Sequence, residues 1–258
     1  MTTDRQKVAL VTGAAKRLGR TIALAMAEQG WDIIVHYGRS ADEAADTARD
    51  IAQLGRQAFT LQCDLSDAVA VAAMISQAVA LCGPLRRVCC VVNSAAVFEQ
   101  DGAADFSPHL LDRHMHTNLT APILLAQGLH AVIPEGEQGV VINLLDQKLF
   151  NLNPDYLSYT LSKAALQAAT TMLAQALAPT LRVAGVAPGI TLVSGDQSGA
   201  GFAKAHTATP LGRSSTPQDI ADAVCFVANA RAITGTTLIV DGGQHLIPLP
   251  RDVMFLAQ

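Results

Sequence analysis

The sequence predicts one α/β domain, a doubly wound parallel sheet of about seven strands with helices on both faces. Three observations predict it. Short, continuously apolar strands alternate with helical stretches along the chain, the pattern of a parallel sheet covered on both sides. The first strand runs into a glycine-containing turn, Thr12-Gly13-Ala14-Ala15-Lys16-Arg17-Leu18-Gly19, that opens the first helix. The chain has 258 residues, half of them hydrophobic, enough to bury one large core.

Taken in order, Val8 to Thr12 is the first strand, and Arg17 to Gln29 has helical periodicity that stops at Gly30. Asp32 to Tyr37 is the second strand, followed by a helix from Ala41 to Leu54 that ends at Gly55. Gln57 to Cys63 is the third strand, and a helix from Ser66 to Leu81 follows, with Ser66 as its expected N-cap. Val88 to Asn93 and Gly139 to Leu144 are the fourth and fifth strands, with helical stretches near Leu110 and from Leu119 to Val132 between them. A long helix is expected from Asp155 to Leu177, then a sixth strand from Arg182 to Val186. Residues Ile190 to Gly212 are rich in Gly, Ser, Thr and Ala and show no periodicity. Thr216-Pro217 reads as a cap followed by Pro at the first helical position, and Thr236 to Val240 is the last strand. No linker, repeat or low-complexity segment interrupts residues 1–258, which are read as a single domain.

Composition narrows the function. A net charge of −4 gives no basic footprint, so neither nucleic acid nor a membrane is expected as a partner. The five cysteines, 63, 82, 89, 90 and 225, have no metal-ligand spacing, and no metal is expected. They read as buried thiols of a reducing compartment. The polar start leads directly into a strand, and no stretch has the length of a membrane span. A cytoplasmic location is expected.

Several positions carry chemistry. Gly13, Arg17, Leu18 and Gly19 lie at a strand–turn–helix junction, where glycines admit a pyrophosphate to the backbone and the helix N-terminus favours its charge. Arg17 stands where a middle glycine is usual. The end of the second strand, His36-Tyr37-Gly38-Arg39-Ser40, has no acid before Asp42. A carboxylate there would suit a ribose hydroxyl, and a cation suits a 2′-phosphate, so NADPH is expected over NADH. Asp64 and Leu65 end the third strand, where Asp64 is placed either to accept from an adenine amino group or to cap the next helix. Asn93, Ser94 and Ala95 end the fourth strand with small residues, as needed beneath a cofactor. Tyr159 and Lys163 are four apart on a helix and so share a face. A cation there would favour the phenolate and let the tyrosine exchange protons nearer neutral pH. Asp146 precedes the tyrosine by thirteen residues, at a strand end. His114 and His116 read as helix-surface residues.

These pieces, with Asn118, Pro188-Gly189 and Asp241-Gly242-Gly243, resemble the short-chain dehydrogenase/reductase family over essentially the whole chain. The resemblance implies a Rossmann-type sheet, a nicotinamide cofactor, and Tyr159 as proton donor. It implies Lys163 on the nicotinamide ribose, lowering the tyrosine pKa, and Asn118 holding a water in a proton relay. Pro188 and Gly189 would contact cofactor, and a homotetramer packed through the long helices is expected by analogy. Two departures carry further information: the family normally has Ser where Asp146 stands and Gly where Arg17 stands. Both resemble the pteridine reductase branch and its bacterial relatives, the dihydromonapterin and dihydrofolate reductases of the short-chain type. In those relatives an aromatic ring after the fourth strand stacks on the pterin. Val97 aligns with it and Phe98 follows.

The leading expectation is therefore NADPH-dependent reduction of a pterin or folate, with Arg17, Phe98, Asp146 and Tyr159 at the substrate. The alternatives are a carbonyl or 3-oxoacyl thioester reductase, and a nucleotide-binding regulator without catalysis. Residues 190–212 are expected to form a substrate lid, in which Asp196, His206 and Arg213 receive no role. The extension from Leu246 to Gln258, apolar for a free tail, is expected to dock on its own or a neighbouring subunit.

Overall fold

A computed structural model of the protein describes residues 5–193 and 199–256. Seven strands, β1 (Gln6–Val11), β2 (Asp32–Tyr37), β3 (Ala58–Gln62), β4 (Arg86–Asn93), β5 (Gly139–Leu144), β6 (Leu181–Pro188) and β7 (Thr237–Val240), form one parallel sheet. Their order is β3-β2-β1-β4-β5-β6-β7. The order reverses between β1 and β4, so a crevice opens outside the carboxyl ends of those two strands, where doubly wound sheets bind ligands. Helices α1 (Arg17–Glu28), α2 (Ala41–Gln53) and α8 (Pro217–Asn229) cover one face. The other carries α3 (Ala68–Cys82), α4 (Pro108–Met115), α5 (Ala121–Val132) and α6 (Leu157–Ala176). Among the described residues no helix is long and apolar enough to cross a membrane.

The core follows from strands that are apolar on both faces. Leu10, Ile33, Ile34, Val92, Ile142 and Val183 are completely buried, each worth roughly 1.5–3 kcal/mol of transfer free energy. The β1–β4 pairing slips between Val8↔Val88 and Ala9↔Cys90, which leaves Cys89 as an extra residue. Both adjacent thiols are buried, and burial raises their pKa. All five cysteines are buried and free.

Four local expectations need correction. The N-cap of α3 is Asp67, not Ser66: its carboxylate accepts from the N–H groups of Val69 and Ala70 at 3.0 and 3.1 Å. Ser66 instead donates from N–H and hydroxyl to Asp64. The long helix starts at Leu157 rather than Asp155, because Tyr156 sits in the left-handed region at φ 54. The 190–212 segment contains a helix, α7 (Gly199–Thr207), whose buried positions include Gly201 and Ala205. Residues this small give an apolar stripe too weak to register as periodicity. His114 is wholly buried, accepting from Glu99 N–H at 3.3 Å and bonding Leu110 C=O at 2.9 Å through its other nitrogen. His116 is exposed, as expected. The last described element is a short helix, α9 (Val253–Leu256), packed on α7 of the same subunit. Asp196 and the rest of 194–198 lie outside the described residues.

Candidate active site

The glycine-rich turn is built by close approach. Gly13 has φ +66, and a Cβ there would come within 3.1 Å of the Ala95 backbone. A Cβ on Gly19 would meet the Gly13 carbonyl oxygen at 2.3 Å. The turn therefore lies flat against the end of β4, and Thr12 fastens the two by accepting at Oγ1 from Ser94 and Ala95 N–H, both 3.0 Å. Arg17 adopts φ 55, a conformation that costs a non-glycine residue about 1–2 kcal/mol. Its guanidinium donates to the Val193 carbonyl at 2.7 Å, bridging the turn to the segment after β6.

His36 departs from the expectation of a phosphate-facing group. Its ring is buried beneath the turn, with Nδ1 accepting from Gly13 N–H and Nε2 donating to Cys63 C=O, both 3.1 Å. Burial lowers its pKa to about 4, so it is neutral and shapes the turn instead of supplying charge. Tyr37 packs half-buried against the core. Arg39 remains exposed and lines a cleft with Gly13, Asp64, Leu65 and Ala95. Ser40 ends at the start of α2 without a capping bond from its hydroxyl. Asp64 lies in that cleft, its pKa lowered by the bonds from Ser66 and by Arg39 nearby. Gln62, Arg113 and Thr117 line the same cleft and were not singled out from sequence. The cradle of Gly13 and Gly19, the exposed Arg39 and the absence of an acid at the end of β2 fit a dinucleotide carrying a 2′-phosphate.

Asn93 and Asn118 serve the framework. Asn93 donates to the Asn143 side chain at 2.8 Å, and Asn143 donates to Thr170 Oγ1 at 2.9 Å, tying β4, β5 and α6 together in the core. Asn118 sits in a π-helical turn, His116–Thr120. Its carboxamide accepts from Val97 N–H at 2.8 Å and donates to Val97 C=O and Ser162 Oγ, both at 3.0 Å. That side chain fixes the strand-end turn against α6. With Val97 pinned by its backbone, Phe98 turns its ring inward, stacked on Tyr156 at 4.4 Å and edge-on to Tyr159 at 4.7 Å. It still keeps 39% exposure where it lines the second cleft.

That second cleft holds the reacting groups. Arg17, Leu18, Ser94, Phe98, Asp146, Tyr159, Lys163, Pro188 and Gly189 line it. Tyr159 rides the first turn of α6, whose N-terminus is held by the buried Asp101 accepting from Ser158 N–H at 2.9 Å, a favourable place for an anion. The Tyr159 hydroxyl donates to Asp146 Oδ2 at 2.9 Å, and Asp146 Oδ1 accepts from Lys148 N–H at 2.8 Å. Lys163 donates to the Leu144 carbonyl at the end of β5, 2.6 Å away. Gly189 packs its backbone on Asp241, where a Cβ would lie 2.8 Å from the Asp241 Cα, and Gly242 at φ +66 admits the Arg213 carbonyl.

Electrostatics here invert one expectation. Burial, then the Asp146 carboxylate, push the Tyr159 phenol well above its usual pKa. The ammonium of Lys163 stands 5.8 Å from the ring centroid, too far to outweigh a carboxylate in hydrogen-bond contact. Burial raises the Asp146 pKa, opposed by its bonds from Lys148 N–H and Tyr159. Burial also pulls Lys163 down to about 8. The site is therefore a buried phenol–carboxyl pair in which Tyr159 keeps its proton and donates to Asp146, beside a lysine that burial makes less basic.

In this cleft, Lys148 and Asp252 add charges that the sequence analysis does not single out. Lys148 is buried, and its ammonium donates to Asp155 C=O at 2.6 Å and to Asp252 at 3.1 Å. Asp252 comes from the C-terminal extension, and both line the cleft. A lysine two residues beyond Asp146, and a charged Arg251-Asp252 pair in an otherwise apolar tail, were the available signals.

A doubly wound sheet with a phosphate-accepting turn at its switch point and a Tyr/Lys/Asp group beside it defines a dinucleotide-dependent oxidoreductase class. The family profile described as enoyl-(acyl carrier protein) reductase matches residues 13–245. The chain is 31% identical to the 3-oxoacyl-[acyl-carrier-protein] reductase FabG of Staphylococcus aureus, over 93% of this chain and 98% of that one. Among solved structures, FolM alternative dihydrofolate reductase 1 from Brucella canis, complexed with NADP, superposes with a TM-score of 0.89 at 37% identity, covering 98% of each chain. A short chain dehydrogenase from Burkholderia cenocepacia in complex with NADP gives 0.84 at 30% identity, over 94% of this chain and 99% of that one. The chain belongs to the short-chain dehydrogenase/reductase family.

Proposed function

We propose that the protein is an NADPH-dependent reductase of a pterin-type substrate, a dihydropterin such as dihydromonapterin or a dihydrofolate. The observation that carries this reading is the Tyr159 hydroxyl bonded to Asp146 Oδ2 at 2.9 Å in a cleft walled by Phe98. NADPH, when bound, supplies a hydride. Gly13, Gly19 and Arg17 would hold its pyrophosphate, Arg39 and Ser40 its 2′-phosphate, and Asp64 with Leu65 the adenine. Ser94, Ala95, Pro188, Gly189 and Lys163 would border its nicotinamide half.

Reduction of a ring C=N bond places hydride on carbon and requires a proton on nitrogen. Asp146, its acidity weakened by burial, carries that proton to the ring, taking it at Oδ2 from the Tyr159 hydroxyl through the bond they share. Lys163, with its pKa near 8, is the next source of a proton. Phe98 offers an exposed aromatic face to a flat heterocycle, and Arg17 a guanidinium to its electron-rich edge. The FolM likeness supports the reading.

The FabG relatives favour a second reading, reduction of a ketone or 3-oxoacyl thioester. Asp146 weighs against it, since an ionised carboxylate repels the developing oxyanion and only a strongly raised pKa would make it a useful donor. Oxidation of NADPH by the purified protein, with a dihydropterin and an acetoacetyl thioester compared side by side, decides between the two. A homotetramer packed through the long helices and a cytoplasmic location complete the proposal. Leu161 and Met172, exposed on α6, offer apolar surface for such packing.

A further inference from the structure

The extension beyond β7 returns to the substrate cleft. Asn151 donates to the Ile247 carbonyl, and the Arg251 guanidinium pairs with both oxygens of Asp155, Nε lying 2.9 and 2.8 Å away. Asp252 N–H donates to Asp155 Oδ2 at 2.7 Å. Phe255 stacks on Tyr156 at 6.0 Å, and Tyr156 in turn stacks on Phe98. Inside these anchors, Lys148 reaches Asp252 at 3.1 Å, with only 4% and 16% of the two side chains exposed. Both groups line the cleft beside Asp146, and Val253 continues the wall.

We propose that Ile247–Leu256 is a strap forming one wall of the substrate cleft, and that its Asp252, seated by Lys148, is a positioning residue that sets the charge around Asp146. The proposal rests on the pterin reading for its consequence, since it determines whether Asp146 carries the proton that ring nitrogen needs. The groups around Asp146 come from four places. Tyr159 and Lys163 face it from α6, Lys148 from its own turn, Arg17 from the glycine-rich turn, and Asp252 from the strap. His245 and Asp241, further along the same end of the sheet, pair with each other at 2.8 Å. Of these, Asp252 is the anion of the cleft besides Asp146 among the described residues, and it favours the protonated form of its neighbour. Lys148, paired with Asp252, offsets that charge and holds the strap in place. Asp252 also adds to the upward shift of both Asp146 and Tyr159.

The test is a carbon-13 NMR titration of the full chain carrying carboxyl-labelled aspartate, with the Asp146 resonance assigned by its loss in Asp146→Asn. Asp252→Asn removes the anion and shifts the Asp146 midpoint down. Lys148→Met removes the cation and shifts it up. The double variant, neutral at both positions, returns it towards wild type. Asp252→Ser and Lys148→Gln repeat the pair with other side chains, should either first choice fail to fold. Opposite shifts support the proposal, because loss of packing alone does not reverse sign with the charge removed. No shift, or shifts in one direction for both, overturns it. The titration needs no substrate, so it stands apart from NADPH oxidation with a dihydropterin, whose failure would refute the pterin reading alone.

Discussion

At the scale of single residues, the cleft depends on where protons rest. Tyr159→Phe removes the hydroxyl bonded to Asp146 and should lower turnover roughly 10²–10⁴-fold, while the NADPH dissociation constant stays unchanged. A stopped assay and a fluorescence titration measure the two. Because burial raises the Asp146 pKa, kcat/KM should fall as pH rises through that carboxyl, and Asp146→Asn should remove this limb. His36 gives a stability signature with the same logic. Its folded pKa, near 4, lies below the unfolded value of 6.5. The buried neutral ring therefore stabilises the fold above about pH 6.5, and this is lost as pH falls towards 4, by up to about 3 kcal/mol. A melting series from pH 7 to 4 should be less steep in His36→Asn. The identities of Tyr159, Lys163 and Asp146 were legible from spacing and order. The direction of the tyrosine shift was not, because it depends on a carboxylate at 2.9 Å against an ammonium that binds the Leu144 carbonyl.

At the scale of elements, the seven strands were legible because continuous apolar runs have one use in a parallel sheet. What was not legible depended on neighbours. Ser66 and Asp67 are both good caps, and the choice falls to Asp67 because Asp64 engages Ser66. Helix α7 hides in a stretch of small residues. The glycine-rich turn carries a prediction of its own. Arg17 at φ 55 stores strain of about 1–2 kcal/mol, so Arg17→Gly should raise the melting temperature by a few degrees and weaken binding of NADPH and pterin alike. Gly242→Ala should do the reverse to stability, because a Cβ there would lie 1.9 Å from the Arg213 carbonyl oxygen. Arg39→Ala should raise the NADPH dissociation constant more than that of NADH, since only the former carries the phosphate that Arg39 would meet.

At the scale of the whole molecule, residues from distant parts of the chain converge on one cleft: the first turn, the ends of β4, β5 and β6, the start of α6, and the C-terminal strap. Local pattern exposed the first five. The strap's place came from pairings about a hundred residues apart, Lys148 with Asp252 and Asp155 with Arg251, which no spacing encodes. Deleting residues 247–258 should raise the KM for the pterin more than the NADPH dissociation constant, because the strap lies away from the cleft of Gly13, Arg39 and Asp64. Light scattering of the purified chain tests the tetramer. The central claim is tested most directly by NADPH oxidation in wild type and Asp146→Ser, with a dihydropterin, dihydrofolate and an acetoacetyl thioester assayed in parallel. Pterin reduction at Asp146 predicts turnover of a pterin-type substrate and none of the thioester, with pterin turnover lost in Asp146→Ser. Turnover of the thioester alone would contradict it and make the protein a carbonyl reductase whose aspartate replaces the family's serine.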